Sequence, residues 1–262
     1  MPIPYQVEIG LQSLIDRIFA RWPQPRPSST ILSSCKLISH RGEHNNRDVL
    51  ENTVAAFDKS AAAGVWGIEL DVRWTQDGVP VVHHDPAPSR LHGFNRPIAE
   101  IDRSELRRSC PLVPDLAEVV ARFGSKLHLM IELKAQTGID PRYQRTALRE
   151  ILSPLEPCRD YHLMALTPHT LLPFDFAPPA TFAAIAYLWP YRLSRWVEKR
   201  AWGAFCAHYT MMGRRTISQH HSVGQCLGTG FIDSPNILFR ELNRGVDWLF
   251  SNRAAILQKI IL

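Results

Sequence analysis

Glu69 and Asp71 stand two residues apart in the apolar run Gly67-Ile68-Glu69-Leu70-Asp71-Val72. On a β-strand, alternate side chains share a face, so both carboxylates point the same way. Isoleucine, leucine and valine flank them, which marks the strand as buried. Two buried carboxylates repel each other unless a cation lies between them. Glu132 and Lys134 repeat the spacing at the end of HLMIELK, residues 128–134. Glu132 offers a third carboxylate, and Lys134 an ammonium for a phosphate oxygen or for a neighbouring carboxylate. Three carboxylates without clustered thiolates suit one hard divalent cation, Mg2+ or Ca2+.

His40-Arg41-Gly42 closes an earlier strand-like segment, and His84 ends the run VPVVHH at 79–84. Arginine is built for bidentate contact with phosphate, and glycine lets the chain turn sharply behind it. Phosphodiester cleavage needs a base and an acid, and two histidines beside a carboxylate cluster supply both.

For these residues to meet, the strands must be neighbours with their C-terminal ends on one rim. From Cys35 onward strand-like and helix-like segments alternate. The strands are expected to end in 38–40, 67–72, 128–133, 162–167, 182–188, 205–210, 223–231 and 248–251, with helices at 53–64, 114–124, 141–152 and 234–245 between them. Eight strands alternating with helices at this length predict an α/β fold, a (β/α)8 TIM barrel whose site lies at the C-terminal ends of the strands. The 79–84 segment follows the 67–74 segment after a short link holding Asp77-Gly78. So short a link cannot cross over between parallel strands, so it predicts a hairpin that returns His84 to a place opposite Leu70 or Asp71.

Four blocks, SHRG (39–42), ENTVAAF (51–57), GIELDVRWTQDGVPVVHHD (67–85) and IELK (131–134), together resemble the glycerophosphodiester phosphodiesterase family. They occur in that family's order and approximate spacing. The resemblance implies a metal-dependent phosphoric diester hydrolase. It implies Glu69, Asp71 and Glu132 as cation ligands, His40 and His84 as the acid/base pair, and Arg41 and Lys134 as phosphate-binding residues. Hydrolysis would give an alcohol and glycerol phosphate. The second half of the chain matches less well, because GTGFIDS (228–234) and LFSN (249–252) depart from the family's pattern.

Residues 1–30 are read as an N-terminal helix followed by a proline linker, and residues 31–262 as the barrel. Val7, Leu11, Leu14, Ile15, Ile18, Phe19 and Trp22 have helical spacing, and Pro23, Pro25 and Pro27 end it. The favoured placement is a cap on the barrel bottom. The polar face carries Glu8, Asp16, Arg17 and Arg21, a mixture of signs where a membrane-surface helix would be more basic, so membrane contact and self-association share second place.

The formal charge is +5, but the basic residues are scattered and no nucleic-acid-binding motif is present, so nucleic acid is not an expected partner. The five cysteines are odd in number and form no CxxC pair, pointing to a reducing, cytoplasmic setting without a disulfide framework. No run of about 18 apolar residues offers a membrane-spanning helix. The expected partner is a small glycerophosphodiester. A lysophospholipid is its first rival, because YLWPYRLSRWVEKRAW (187–202) combines three tryptophans with basic residues. The favoured structure for that segment is an outer barrel helix turning Leu193, Trp196 and Val197 to the core. Sphingomyelinase D-type chemistry, and a non-catalytic barrel that binds a phosphoryl ligand, are the remaining alternatives.

Overall fold

The computed structural model describes residues 14–187 and 190–262. Eight strands run parallel: β1 Lys36–His40, β2 Gly67–Trp74, β4 His128–Leu133, β5 Tyr161–Ala165, β6 Phe182–Ala186, β7 Ala204–His208, β8 Cys226–Gly230 and β9 Trp248–Ser251. β1 pairs with both β9 and β2, so the sheet closes on itself as a barrel. β3, Pro80–Val82, runs antiparallel to β2, and its Val81 also bridges to Asp115. The fold is therefore the expected (β/α)8 barrel with an added hairpin strand.

The sequence dictates this through strands that are apolar on both faces. β4 is buried at every position, as a strand between a packed interior and a layer of helices must be. Ile38, Met130, Met164, Cys206, Trp248 and Phe250 fill the barrel interior. Leu37, Ile68, Leu70, Leu129, Ile131 and Leu163 face the helices outside. The inward set lies at alternate positions, so Glu69 and Asp71 on β2 and Glu132 on β4 continue the inward rows.

Helices Val54–Ala62, Leu116–Phe123, Pro141–Leu152 and Pro235–Asn243 lie where their periodicity places them. Thr53 caps the first of these, accepting from the Ala56 N–H. Helix Pro190–Lys199 buries Val197 and packs Leu193 and Trp196 against the outer core, as expected. No helix among the described residues is long and apolar enough to cross a membrane.

Two expectations change. The hairpin arm is shorter than 79–84, because His83 and His84 leave the ladder after Val82. The second change concerns the N-terminal helix, whose first residues lie outside the described range. Residues 14–21 are helical, but they do not cap the barrel bottom. Tyr209 Oη donates to Asp16 Oδ1 at 2.5 Å, just beyond the C-terminal end of β7, and the Phe19 ring meets Tyr209 edge-on. Asn236, in the first turn of the helix after β8, donates to the Ala20 carbonyl. The chain then descends the outside of the barrel, where the Pro25 carbonyl accepts from Asn243. Asp16 and Phe19 find their partners at the upper rim, and these contacts set the helix there.

Candidate active site

The register of three adjacent strands builds the site. His40 lies beside Glu69 across β1–β2, and Asp71 lies beside Glu132 across β2–β4. Lys134 follows at the end of β4, its N–H donating to the Val72 carbonyl. His40 ends β1, and Glu132 and Lys134 lie at and just past the end of β4; the register sets Glu69 and Asp71 level with them in β2, which runs on to Trp74 in the hairpin. Ligand atoms of Glu69, Asp71 and Glu132 lie within 4.8 Å of one another, and all three residues are buried.

Arg41 turns the chain out of β1 in a left-handed conformation, φ 57°. Gly42 follows at φ 77°, and a Cβ there would come within 2.7 Å of the Ala56 Cβ, so only glycine fits. This tight exit places the Arg41 guanidinium among carboxylates. Its Nη1 donates to Glu51 Oε1 at 3.0 Å, its Nε is 3.2 Å from Asp71 Oδ2, and its backbone N–H donates to Glu69 Oε2. Lys134 Nζ stands 2.7 Å from Asp71 Oδ1 and 2.5 Å from Glu132 Oε1.

The charges are unevenly balanced. Burial, with Asp71 and Glu132 close by, raises the Glu69 carboxyl well above the usual carboxylate range. Burial and the Asp71 charge also raise Glu132. Burial pushes Asp71 upward too, but Lys134 and Arg41 outweigh it and hold Asp71 below its ordinary value. Glu69 Oε1 is buried without a hydrogen-bond partner. An orphaned carboxylate oxygen beside two further carboxylates fits a divalent cation, which would supply the missing partner and remove the repulsion.

The two histidines have different partners. His40 Nδ1 lies 2.7 Å from Asn252 Oδ1, and its Nε2 is 3.7 Å from Glu69 Oε2. Burial first, and Arg41 second, lower its pKa to about 3. The Phe231 ring packs against it, centroids 4.8 Å apart. His84 Nδ1 lies 2.7 Å from Asp85 Oδ1. Arg90 holds that carboxylate and reaches on to Glu51. Burial lowers the His84 pKa, with the Asp71 charge opposing. His83 donates its backbone N–H to the Asp71 carbonyl and turns its buried ring elsewhere, toward His92.

The structure brings all seven sequence-predicted site residues to one rim. It adds several that the spacing did not single out. Asn52 donates to Asp71 Oδ2 at 2.7 Å and is buried. Glu51 ties Arg41 to Arg90, and Asn46, between the SHRG and ENTVAAF blocks, donates to Glu51. Asp233 accepts from the backbone and side-chain amides of Asn252 and from Ser251 Oγ. Asn52 and Glu51 sit in the ENT block, and that block was the signal for them. Asp233 and Asn252 lie in the two segments that depart from the family pattern.

Residues 40–167 match the model of the glycerophosphoryl diester phosphodiesterase family. The match takes in 128 of the 262 residues, a little under half of the chain. The chain is 32% identical over 127 residues to a glycerophosphodiester phosphodiesterase of Caldanaerobacter subterraneus, covering 44% of this chain and 51% of that one. It is 37% identical over 93 residues to a lysophospholipase D of Mus musculus, covering 36% and 26%. The chain thus spans about half the length of the first relative and about a quarter of the second. Among solved structures, an Oleispira antarctica phosphodiesterase in complex with the product sn-glycerol-3-phosphate superposes with TM-score 0.74 at 21% identity, covering 86% and 96%. At that identity the superposition speaks for the fold.

Proposed function

We propose that this barrel hydrolyses a glycerophosphodiester to an alcohol and glycerol phosphate, with His40 and His84 as the acid/base pair. The observation that carries the reading is the meeting of both histidines with the buried Glu69–Asp71–Glu132 cluster inside the family-matched segment. Glu69, Asp71 and Glu132 would hold one divalent cation, Mg2+ or Ca2+. When bound, it supplies a Lewis acid for a non-bridging phosphate oxygen.

The chain's own groups do the rest. Arg41 and Lys134, which neutralise carboxylates in this geometry, also present donors to phosphate oxygens and stabilise charge that develops there. Asn252 points its amide oxygen at His40, because its amide N–H donates to Asp233. His40 Nδ1 must then carry the hydrogen, leaving the Nε2 lone pair to remove a proton from the attacking hydroxyl. That hydroxyl is water or the substrate's own glycerol hydroxyl. His84 is partnered at Nδ1 by a carboxylate, which opposes the lowering of its pKa by burial and orients the ring. It suits the acid that protonates the leaving alkoxide.

A lysophospholipid is the rival substrate, supported by the likeness to a lysophospholipase D. Turnover of glycerophosphocholine and lysophosphatidylcholine, measured side by side with Mg2+ and with Ca2+, separates the two. Diester hydrolysis that survives both chelation and Glu69→Ala would defeat the reading in either form.

A further inference from the structure

The exposed side of the N-terminal helix is unlike its docked side. Asp16, Phe19 and Ala20 face the barrel, and Asp16 is bonded to Tyr209. Within the described residues of the helix, the acidic residue Asp16 is turned inward. Leu14 is 55% exposed, Ile18 51% and Trp22 62%, at a spacing of four residues. Arg17 and Arg21 lie on the same side of the helix, are exposed, and form no ion pair among the described residues. Large apolar side chains flanked by arginines, with no carboxylate among them, make a surface that water solvates poorly on one part and strongly on the other.

This surface continues along the barrel rim. Tyr191, 69% exposed, and Arg192 begin the helix after β6. Met211 is exposed in the segment after β7, and Arg214 and Arg215 are exposed in the first turn of the next helix. Phe231, directly after β8, is exposed at the mouth while its ring packs on His40. Residues 209–217 contain no carboxylate. The rim on the β1–β4 side is different, with its charges cross-paired as Arg41–Glu51, Arg90–Glu51 and Arg90–Asp85.

We propose that the apolar and basic half-rim, formed by residues 14–22 with the segments after β6, β7 and β8, docks onto an anionic phospholipid surface. The apolar side chains would enter the headgroup boundary and the arginines would meet lipid phosphates. Docked in this way, the enzyme would hold its mouth toward the membrane. The inference concerns binding alone, so it stands or falls independently of the reaction proposed above.

Sedimentation of the full chain with vesicles tests it. One set is pure phosphatidylcholine and the other contains about 30% phosphatidylglycerol, both at about 50 mM salt. The expected result is binding to the anionic vesicles that weakens as salt rises. Ile18→Glu, and Arg17→Gln combined with Arg21→Gln, should each lower vesicle affinity by about tenfold. The same charge removal at Lys126 and Arg149, near the opposite end of the barrel, should leave it unchanged. Circular dichroism and turnover of a water-soluble diester should match the parent in every variant. Absence of binding to both vesicle types overturns the proposal, as does equal binding by the parent and the helix variants. A dimer in light scattering that Ile18→Glu separates, without vesicle binding, overturns it in favour of self-association.

Discussion

His40 and Asn252 are 212 positions apart in the chain and meet at 2.7 Å, imidazole Nδ1 to amide Oδ1. Asp233 fixes the amide by accepting from its Nδ2 and from the Asn252 backbone. The contact sets which nitrogen of His40 carries a hydrogen, and so which one faces the carboxylate cluster.

Asn252→Asp should therefore alter the pH profile more than the binding of substrate. A carboxylate at that place favours the imidazolium, so the acidic limb of kcat/KM should move to higher pH. Asn252→Ala should leave KM near the parent value and lower kcat by roughly tenfold or more, because the ring loses its orientation. Steady-state kinetics across pH 5–9 checks both. An unchanged profile in Asn252→Asp would mean that His40 is not the group that titrates.

The His84 assignment predicts a dependence on leaving group. An acid matters most when the departing alkoxide is a poor leaving group. His84→Ala should slow cleavage of an alkyl diester by on the order of a thousandfold, yet slow a p-nitrophenyl diester far less. His40→Ala should slow both. Equal losses for His84→Ala on the two substrates would remove it from the acid role.

Much of this site is legible in the sequence because β-strand alternation converts spacing into geometry. Spacing alone assigns a common face to Glu69 and Asp71, and another to Glu132 and Lys134. The hairpin follows from a link too short for a crossover. The partners of His40 are not legible in that way. Asn252 and Asp233 reach it only through closure of the barrel, which brings β9 beside β1. Asn52 is hidden by chemistry it shares with another role. Asn52 and Thr53 are both residue types that suit an N-cap; Thr53 takes the cap and Asn52 turns its amide to Asp71. For the N-terminal helix, the sequence displays Asp16 and Arg17 as equals, and only the docked helix shows which one is consumed.

The orphaned oxygen of Glu69 predicts how the fold should respond to metal. A divalent cation that binds the native cluster and not the unfolded chain raises stability with the logarithm of its concentration. Tm should rise as Mg2+ or Ca2+ is added and fall back with chelator. Glu69→Gln should abolish that response. It should also raise Tm without metal, because it removes the carboxylate that burial and its two neighbours most disfavour. A metal-dependent Tm that persists in Glu69→Gln would place the ion elsewhere.

Stability should also fall as the solution is made mildly acidic. His128 and His162 are buried in the barrel interior, 2.8 Å apart, Nε2 to Nδ1. Burial lowers His128 to about 4 and His162 to about 3, from the ordinary 6.5. Below 6.5 the unfolded chain takes up protons at these positions while the native barrel does not. The unfolded state then binds more protons, so stability rises with pH through this window and falls as pH drops from 6.5 toward 4. Each such histidine adds up to about 1.4 kcal/mol per pH unit to the slope. Thermal unfolding in chelator at pH 7.5, 6.0 and 5.0 should show Tm decreasing at each step. His128→Gln combined with His162→Gln should have a lower Tm at pH 7.5 but a shallower decline. A decline as steep as the parent's would assign the acid sensitivity to the carboxylates and histidines of the mouth.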